Sequence, residues 1–490
     1  MPSLPRPGRP RAATGTLFLA LALAGCASTA GLEPAAAPRG PDTLAASRSL
    51  AGAPHSPAAF PDQDWWRTFG DPQLDALIAE ALRGTPSLAT ADARLRQARA
   101  QAGLAAAARK PTVGASAQYA VARLPRGLAG EELGGELMHN ALLMLSFDWP
   151  LDVWGGKRAE YEAALGQARA AEVEAQAARL ALAAGVARTY IALAQAFETQ
   201  DIARREQERS GHLLALSRQR VDAGIDGAQA LRNAEAAVAS ATARAEAARQ
   251  RIEALRNALA ALLGQGPDRG LDIARPRLLQ APAPALPSVL PSELLGRRPD
   301  VVAARWRVEA AAQGIRAAKA TFRPSIDLGA LVGLAATGFS DLFDGDAALG
   351  FGGPALSLPI FDAGARRNRL DARTADYDLA VAAYDQRVVD ALHEVTDAVQ
   401  AIRSLDAQER ALEEARAAAG AALQLARARY AAGIGNQLEV LSAQRPLLQA
   451  EQQLAEVRAL RYLAAVDLDH ALGGGLRFEA PAADTPAPTP

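Results

Sequence analysis

The side chains that most often carry chemistry are few in this chain and poorly spaced for it. His55, His139, His212, His393 and His470 are scattered singly. His393 and Glu394 continue into Val395, Thr396 and Asp397, so the second histidine that a zinc-binding helix needs is replaced by an aspartate. The sequence has no phosphate-binding loop and no Gly-x-Ser-x-Gly elbow. Asp62, Asp64, Asp71 and Asp75 cluster at the head of a helical pattern, where they read as caps and solvated turns rather than metal ligands. Past the leader only Met138 and Met144 remain, too few for a thioether ladder on a soft metal ion. These patterns predict no catalysis, no metal and no bound cofactor. One residue stands apart. Cys26 is the only cysteine, so no intrachain disulfide is possible. It follows Leu23-Ala24-Gly25, which end a stretch with Arg6, Arg9 and Arg11 and then the apolar run Leu17–Ala24. A basic start, an apolar middle and small residues at the end predict a secretory signal over residues 1–25. A thiol at that cut is placed to be alkylated.

Leu23-Ala24-Gly25-Cys26 resembles the lipobox of bacterial lipoproteins. The resemblance implies a covalent diacylglycerol on the Cys26 sulfur and an N-acyl chain on its amine. Ala27 and Ser28 follow, with none of the aspartate that retains such proteins in the inner membrane, so outer-membrane sorting is implied. Residues 26–61, rich in Ala, Pro, Gly and Ser, are expected to form a flexible, lipid-anchored tether.

The remaining chain is organised by an internal duplication. Arg220-Val221-Asp222-Ala223-Gly224-Ile225 matches Arg429-Tyr430-Ala431-Ala432-Gly433-Ile434, and Leu263-Gly264 matches Leu472-Gly473. Each copy reads in the same order. A helical pattern, about 73–109 or 292–322, precedes two runs of period 2, about 112–122 and 139–149, or 325–335 and 348–360. Very long helical patterns follow over about 157–222 and 365–432, and each turns at glycine into another helix, about 228–263 or 436–472. The repeats therefore occupy 62–264 and 291–473, with a linker at 265–290 and a flexible tail at 474–490. A helix of about 66 residues would be roughly 100 Å long, far beyond an ordinary globular helix.

The final helix carries two apolar seams. One contains Leu438, Leu441, Leu448, Ala455, Tyr462 and Val466; the other contains Leu447, Leu454, Val457, Ala464 and Leu468. Two seams predict helical neighbours on both sides. The four strands alternate apolar and polar residues at about the length that crosses a bilayer, with Trp149 and Trp154 at one end. A bulge or bend is expected at Gly352-Gly353-Pro354, where the alternation slips. No stretch has 18 consecutive apolar residues, so any crossing is expected to be a closed barrel, which four strands cannot close alone. Net charge is −1, and −4 without residues 1–25; lysines occur only at 110, 157 and 319, and no basic block suggests nucleic acid.

In this order the pieces resemble the TolC/OprM-like outer-membrane efflux proteins, lipoprotein branch, over about residues 62–475. The resemblance is carried by Leu294–Asp300, Trp149–Gly156, Leu358–Gly364 and Arg429–Gln444. It implies an α+β membrane protein: a homotrimer forming a 12-stranded transmembrane β-barrel, continued by a 12-helix periplasmic α-barrel. It also implies passive export of drugs or toxic small molecules from an inner-membrane RND-type pump, through a periplasmic adaptor, to the exterior. By position Leu438 matches an apolar constriction of the periplasmic gate, and Arg429 and Tyr430 match residues whose polar contacts hold it shut. Ser442 stands where relatives often carry an aspartate, and Pro446 is expected to bend the helix one turn on. Gly224 and Gly433 match the adaptor-contact tips. A type I protein-secretion channel would share this fold. A coiled-coil adaptor lipoprotein would share only the helical hairpins.

Overall fold

The computed structural model describes residues 29–40, 48–51, 60–123, 125, 127, 135, 137–278 and 296–476. The expected signal, Cys26, the linker positions 279–290 and the tail positions 477–490 lie outside the described residues. A short 3-10 turn, Trp65–Phe69, opens into α1 (Pro72–Arg83) and α2 (Pro86–Ala107). Strands β1 (Thr112–Arg123) and β2 (Leu137–Leu151) follow, then the 67-residue α3 (Gly156–Asp222) and α4 (Ala228–Leu262). The second half supplies α5 (Pro299–Ala320), β3 (Ser325–Ala336), β4 (Ala348–Ser357), the 67-residue α6 (Ala365–Ala431) and α7 (Gln437–Ala471). α5 has Pro299 at its first position, where a missing N–H costs nothing, while the expected start near 292 lies outside the described residues.

The four strands form one antiparallel sheet in the order β1-β2-β3-β4. Within it β2 of the first half pairs with β3 of the second, from Ala141 opposite Ala336 to Leu151 opposite Ile326. The repeats are thus units of sequence, not of folding. Compactness divides the chain instead into one unit of 1–38, 95–171 and 304–384, and another of 39–94, 172–303 and 385–490.

In the first unit, the register places Val113, Phe147, Ala330 and Gly352 in one row across the sheet. The same face holds Tyr119, Leu145, Trp149, Val332 and Leu356, while Ser116, Gln118, Ser146, Asp148 and Asp327 lie on the other. The expected bulge is absent. Pairing runs without a slip from Ser325 opposite Ser357 to Leu334 opposite Ala348. β4 is an edge strand of this sheet, where Pro354 is tolerated without breaking the ladder. It ends at Ser357, short of the expected 360.

The long helices start where an aspartate follows the proline. Asp152 accepts from the backbone N–H of Lys157 at 2.9 Å and of Arg158 at 2.6 Å. Asp362 accepts from Gly364 and Arg366 N–H, each at 3.2 Å, and from Arg366 Nε at 2.6 Å. These carboxylates satisfy orphan donors at the positive end of each helix. Alanine-rich faces then let helices approach closely: a Cβ added to Gly166 on α3 would meet the Ala310 Cβ of α5 at 3.0 Å.

The described parts of the expected tether are held rather than free. Leu32 packs with Ile315, Ala318 and Leu370. Ala35 and Ala36 N–H donate to the two oxygens of Asp378, at 3.2 and 2.9 Å. In the second unit Leu50 is buried with Val395, Val399 and Ile402, and Arg403 Nη1 donates to the Ala51 carbonyl at 3.1 Å. Composition suggested a loose chain, but leucines spaced along it find apolar helix faces.

The core of the second unit joins Trp65, Phe69, Leu74 and Ile78 to Tyr190, Ile191 and Leu193 of α3, Leu259 of α4 and Val466 of α7. Asp71 is buried and caps α1. It accepts from Gln73 N–H at 2.9 Å, from the Tyr190 hydroxyl at 2.7 Å and from Arg277 N–H at 2.7 Å. Burial, then the bond to Asp71, pushes the Tyr190 hydroxyl far above its ordinary range. The two seams of α7 meet different neighbours. Leu448 and Ala455 pack on Ile202 of α3. Val457, Ala464 and Leu468 pack on Val395, Val399 and Ile402 of α6. α3 also contains an 18-residue stretch apolar enough by composition to cross a membrane, which qualifies the expectation from uninterrupted apolar runs; over half of that stretch is buried in the chain.

Candidate functional site at the helical tips

The candidate site lies in the second unit, at the turns joining α3 to α4 and α6 to α7. Both helices end alike. Ile225 N–H donates to the Arg220 carbonyl at 2.8 Å and Gly224 N–H to the Val221 carbonyl at 2.9 Å. Ile434 N–H likewise reaches the Arg429 carbonyl and Gly433 N–H the Tyr430 carbonyl, each at 3.0 Å. This is the Schellman pattern, and it needs a left-handed residue past the helix end. Gly224 has φ 70° and Gly433 has φ 71°, with no atom within 4 Å of an added Cβ, so backbone conformation and not space selects glycine. Ile225 and Ile434 stand on the two tips with 63 and 69% of their surface exposed.

The same arginine position is used differently at each tip. Arg220 grips Asp226 through Nε at 2.7 Å and Nη2 at 2.9 Å, and holds that carboxyl below the ordinary range. In the second repeat Gly435 stands where Asp226 would be. Arg429 turns instead to the Ile434 carbonyl at 3.5 Å and to Glu439 at 3.8 Å. Asn436 also caps α7: the Glu439 N–H donates to Asn436 Oδ1 at 2.9 Å, and the Asn436 side-chain Nδ2 donates to Glu439 Oε1 at 3.1 Å.

Of the expected gate residues, Leu438 is 41% and Tyr430 50% exposed, and Ser442 is also exposed, one turn along from Leu438. The structure thus brings Leu438 and Ser442 to one end of α7, while Arg429 bonds within its own turn. Sequence reasoning missed Glu439, an acid three residues before Ser442, although the Asn436-x-x-Glu439 spacing is itself a capping signature. It also gave no role to Arg298. That side chain is 4% exposed and holds three elements: Asp300 at 3.1 and 2.8 Å, Glu394 of α6 at 2.6 Å and the carbonyl of Ala471, the last residue of α7, at 3.2 Å. No cluster of metal-ligating side chains occurs among the described residues.

A duplicated chain of this geometry has known counterparts. The family model described as outer membrane efflux protein matches residues 77–265 and 290–474, one stretch in each repeat. The chain belongs to that family. It is 38% identical over 374 residues to the fusaric acid resistance protein FusA of Burkholderia cepacia, covering 74% of this chain and 70% of that one. To the outer membrane protein OprJ of Pseudomonas aeruginosa it is 35% identical over 473 residues, 95% of this chain and 96% of that one. The crystal structure of the outer membrane protein VceC from Vibrio cholerae superposes with a TM-score of 0.77 at 35% identity, covering 85% of this chain and all of that one. This outer membrane efflux protein is therefore a passive channel and not an enzyme, and the scattered histidines have no reaction to serve.

Proposed function

We propose that three copies of this efflux protein close a 12-stranded barrel in the outer membrane, continued by a 12-helix periplasmic α-barrel that ends at the tips. The sheet carries this reading. Its two edge strands, β1 and β4, have free ladders, and one face is apolar from β1 to β4. An open edge is untenable in lipid, and pairing β1 of one copy with β4 of the next removes every edge. Cys26 carries the diacylglycerol and N-acyl chains that hold the chain to the outer membrane. Ile225 and Ile434, beside Gly224 and Gly433, receive a periplasmic adaptor, and an inner-membrane RND-type pump selects and drives small organic compounds into the duct.

Leu438 is the apolar constriction of the resting mouth, with Arg429 and Tyr430 beside it. The test is single-channel conductance of the detergent-extracted protein in a planar bilayer, with the mass of the oligomer determined in parallel. A trimer with small, mostly closed currents is expected, with larger conductance in Leu438→Ala and no change in Ser442→Ala. A monomer that forms no pore overturns the barrel; unchanged conductance in Leu438→Ala removes the gate from that residue.

A further inference from the structure

The tip-side part of α7 carries Leu438 and Ser442 and is marked off by Pro446, which sits inside the continuous helix. A proline inside a helix has no N–H, so the Ser442 carbonyl loses its donor from within the helix. One residue earlier, the Leu441 carbonyl accepts from Arg209 Nη1 of α3 at 3.3 Å. Arg209 is only 10% exposed, and Glu206, one turn back, fixes it through Nε and Nη2 at 2.7 Å each. Ser210 is fully buried beside them, its hydroxyl 3.5 Å from Glu206. The Glu206 carboxyl is held below its ordinary range, first by the bond from Arg209, with the charges of Arg244 on α4 and Arg445 on α7 acting the same way. Of these three guanidinium groups, Glu206 thus bonds to that of Arg209 alone but also feels the positive charge of two neighbouring helices, and Arg445 is the residue directly before Pro446. Among the described residues, the ion pairs tying α7 to α3 lie beyond the proline, at Glu451 and Asp467. Those to α6 lie there too, at Arg458 and Arg461, apart from the long and exposed pair Arg429–Glu439 at the turn itself, 3.8 Å.

We propose that Arg209, set by Glu206, is a positioning residue of the gate: it holds the α7 segment 437–445 against α3 on the tip side of Pro446, where the helix lacks one of its own hydrogen bonds, and its release frees that segment to swing. A long hydrogen bond from a charged donor suits this task, being strong enough to bias the segment and weak enough to be broken by a docking partner. The inference rests on the reading of Leu438 as the gate.

The decisive experiment is a mutant cycle read in single channels: Arg209→Ala, Pro446→Ala and the double variant, with Arg209→Lys as the conservative control. Arg209→Ala is expected to raise open-state occupancy about tenfold, the lower end for a charge-assisted bond. Arg209→Lys recovers part of the closure. In the Pro446→Ala background the helix regains its own donor, and the effect of Arg209→Ala falls to about twofold. Equal effects in both backgrounds, or no effect in either, overturn the proposal. Should Arg209→Ala fail to assemble, Glu206→Gln leaves the guanidinium in place but unfixed and is expected to open the channel in the same direction. Amide exchange over Leu438–Ala443 reads the clasp without conduction. Faster exchange there, with Ala455–Val466 unchanged, supports it, and unchanged exchange refutes it whatever the currents. A wild-type protein that conducts nothing overturns the gate reading instead, while exchange still decides whether Arg209 holds the segment.

Discussion

Replacing Asp469 by asparagine is expected to stabilise the protein at pH 8 and to do nothing near pH 4. Asp469 lies near the C-terminus of α7, the negative end of the helix dipole. Burial alone pushes its carboxyl up from 3.8 to about 7. The folded chain therefore keeps a proton that the unfolded chain releases, and between about pH 4 and 7 the unfolded state gains stability as the pH rises. Roughly three pKa units at 1.36 kcal/mol each give a ceiling of about 4 kcal/mol. Water reaches part of the residue, so screening reduces the expected cost to about 2 kcal/mol at pH 8. Asparagine keeps the shape and removes the titration. The assay is the urea midpoint of the detergent-solubilised protein, followed by fluorescence of the buried Trp65 and Trp66, at several values from pH 4 to pH 8. The difference between wild type and Asp469→Asn should grow from zero to its full value by about pH 7 and stay there. A difference that is flat with pH, or an asparagine variant less stable at pH 8, refutes the reasoning.

Arg298→Ala strands Asp300 and the Ala471 carbonyl; breaking a buried pair costs about 3–5 kcal/mol, and the exposure of Glu394 puts the expected loss at the lower end, readable as the same urea midpoint. Because Arg298 and the Val301 N–H keep the Asp300 carboxyl low despite its burial, that stability is present above the ordinary carboxylate range and is lost as the pH falls through it; Arg298→Ala should flatten this acid limb. Tyr190→Phe takes a donor from buried Asp71 and should cost about 1–3 kcal/mol by chemical denaturation, while Asp71→Asn should cost no less. Cys26→Ser should abolish incorporation of labelled palmitate, and any label retained would move the lipid elsewhere.

Much of the architecture is written in periodicity. The glycine tips, the long helices and the two seams of α7 could be read because spacing alone fixes which residues share a face, and α3 and α6 do receive those two seams. What stayed hidden depends on partners distant in the chain. Arg298 looked like part of a motif, but its purpose becomes visible only when Glu394 and Ala471 arrive from two other helices. Asp378 gives no local hint that it will bind the backbone of Ala35 and Ala36. At Gly352-Gly353-Pro354 the residue types suggested a bulge, yet an edge strand accommodates them in register. The candidate site was half legible: Leu438 and Ser442 follow from position, whereas Glu439 was passed over because its capping role and its pairing with Arg429 belong to the folded turn.

The unlike tips restrict what can assemble on them. One has an arginine locked to Asp226; the other has Gly435 at that place and an arginine turned to the Ile434 carbonyl and to Glu439 of α7. In the trimer proposed above, the mouth would present six knobs of two kinds in alternation, with threefold and not sixfold rotational symmetry. Any partner that rings it with six identical chains must grasp neighbouring knobs in two different poses, as coat proteins do in quasi-equivalent shells. A partner unable to adopt both poses would fill only every second knob.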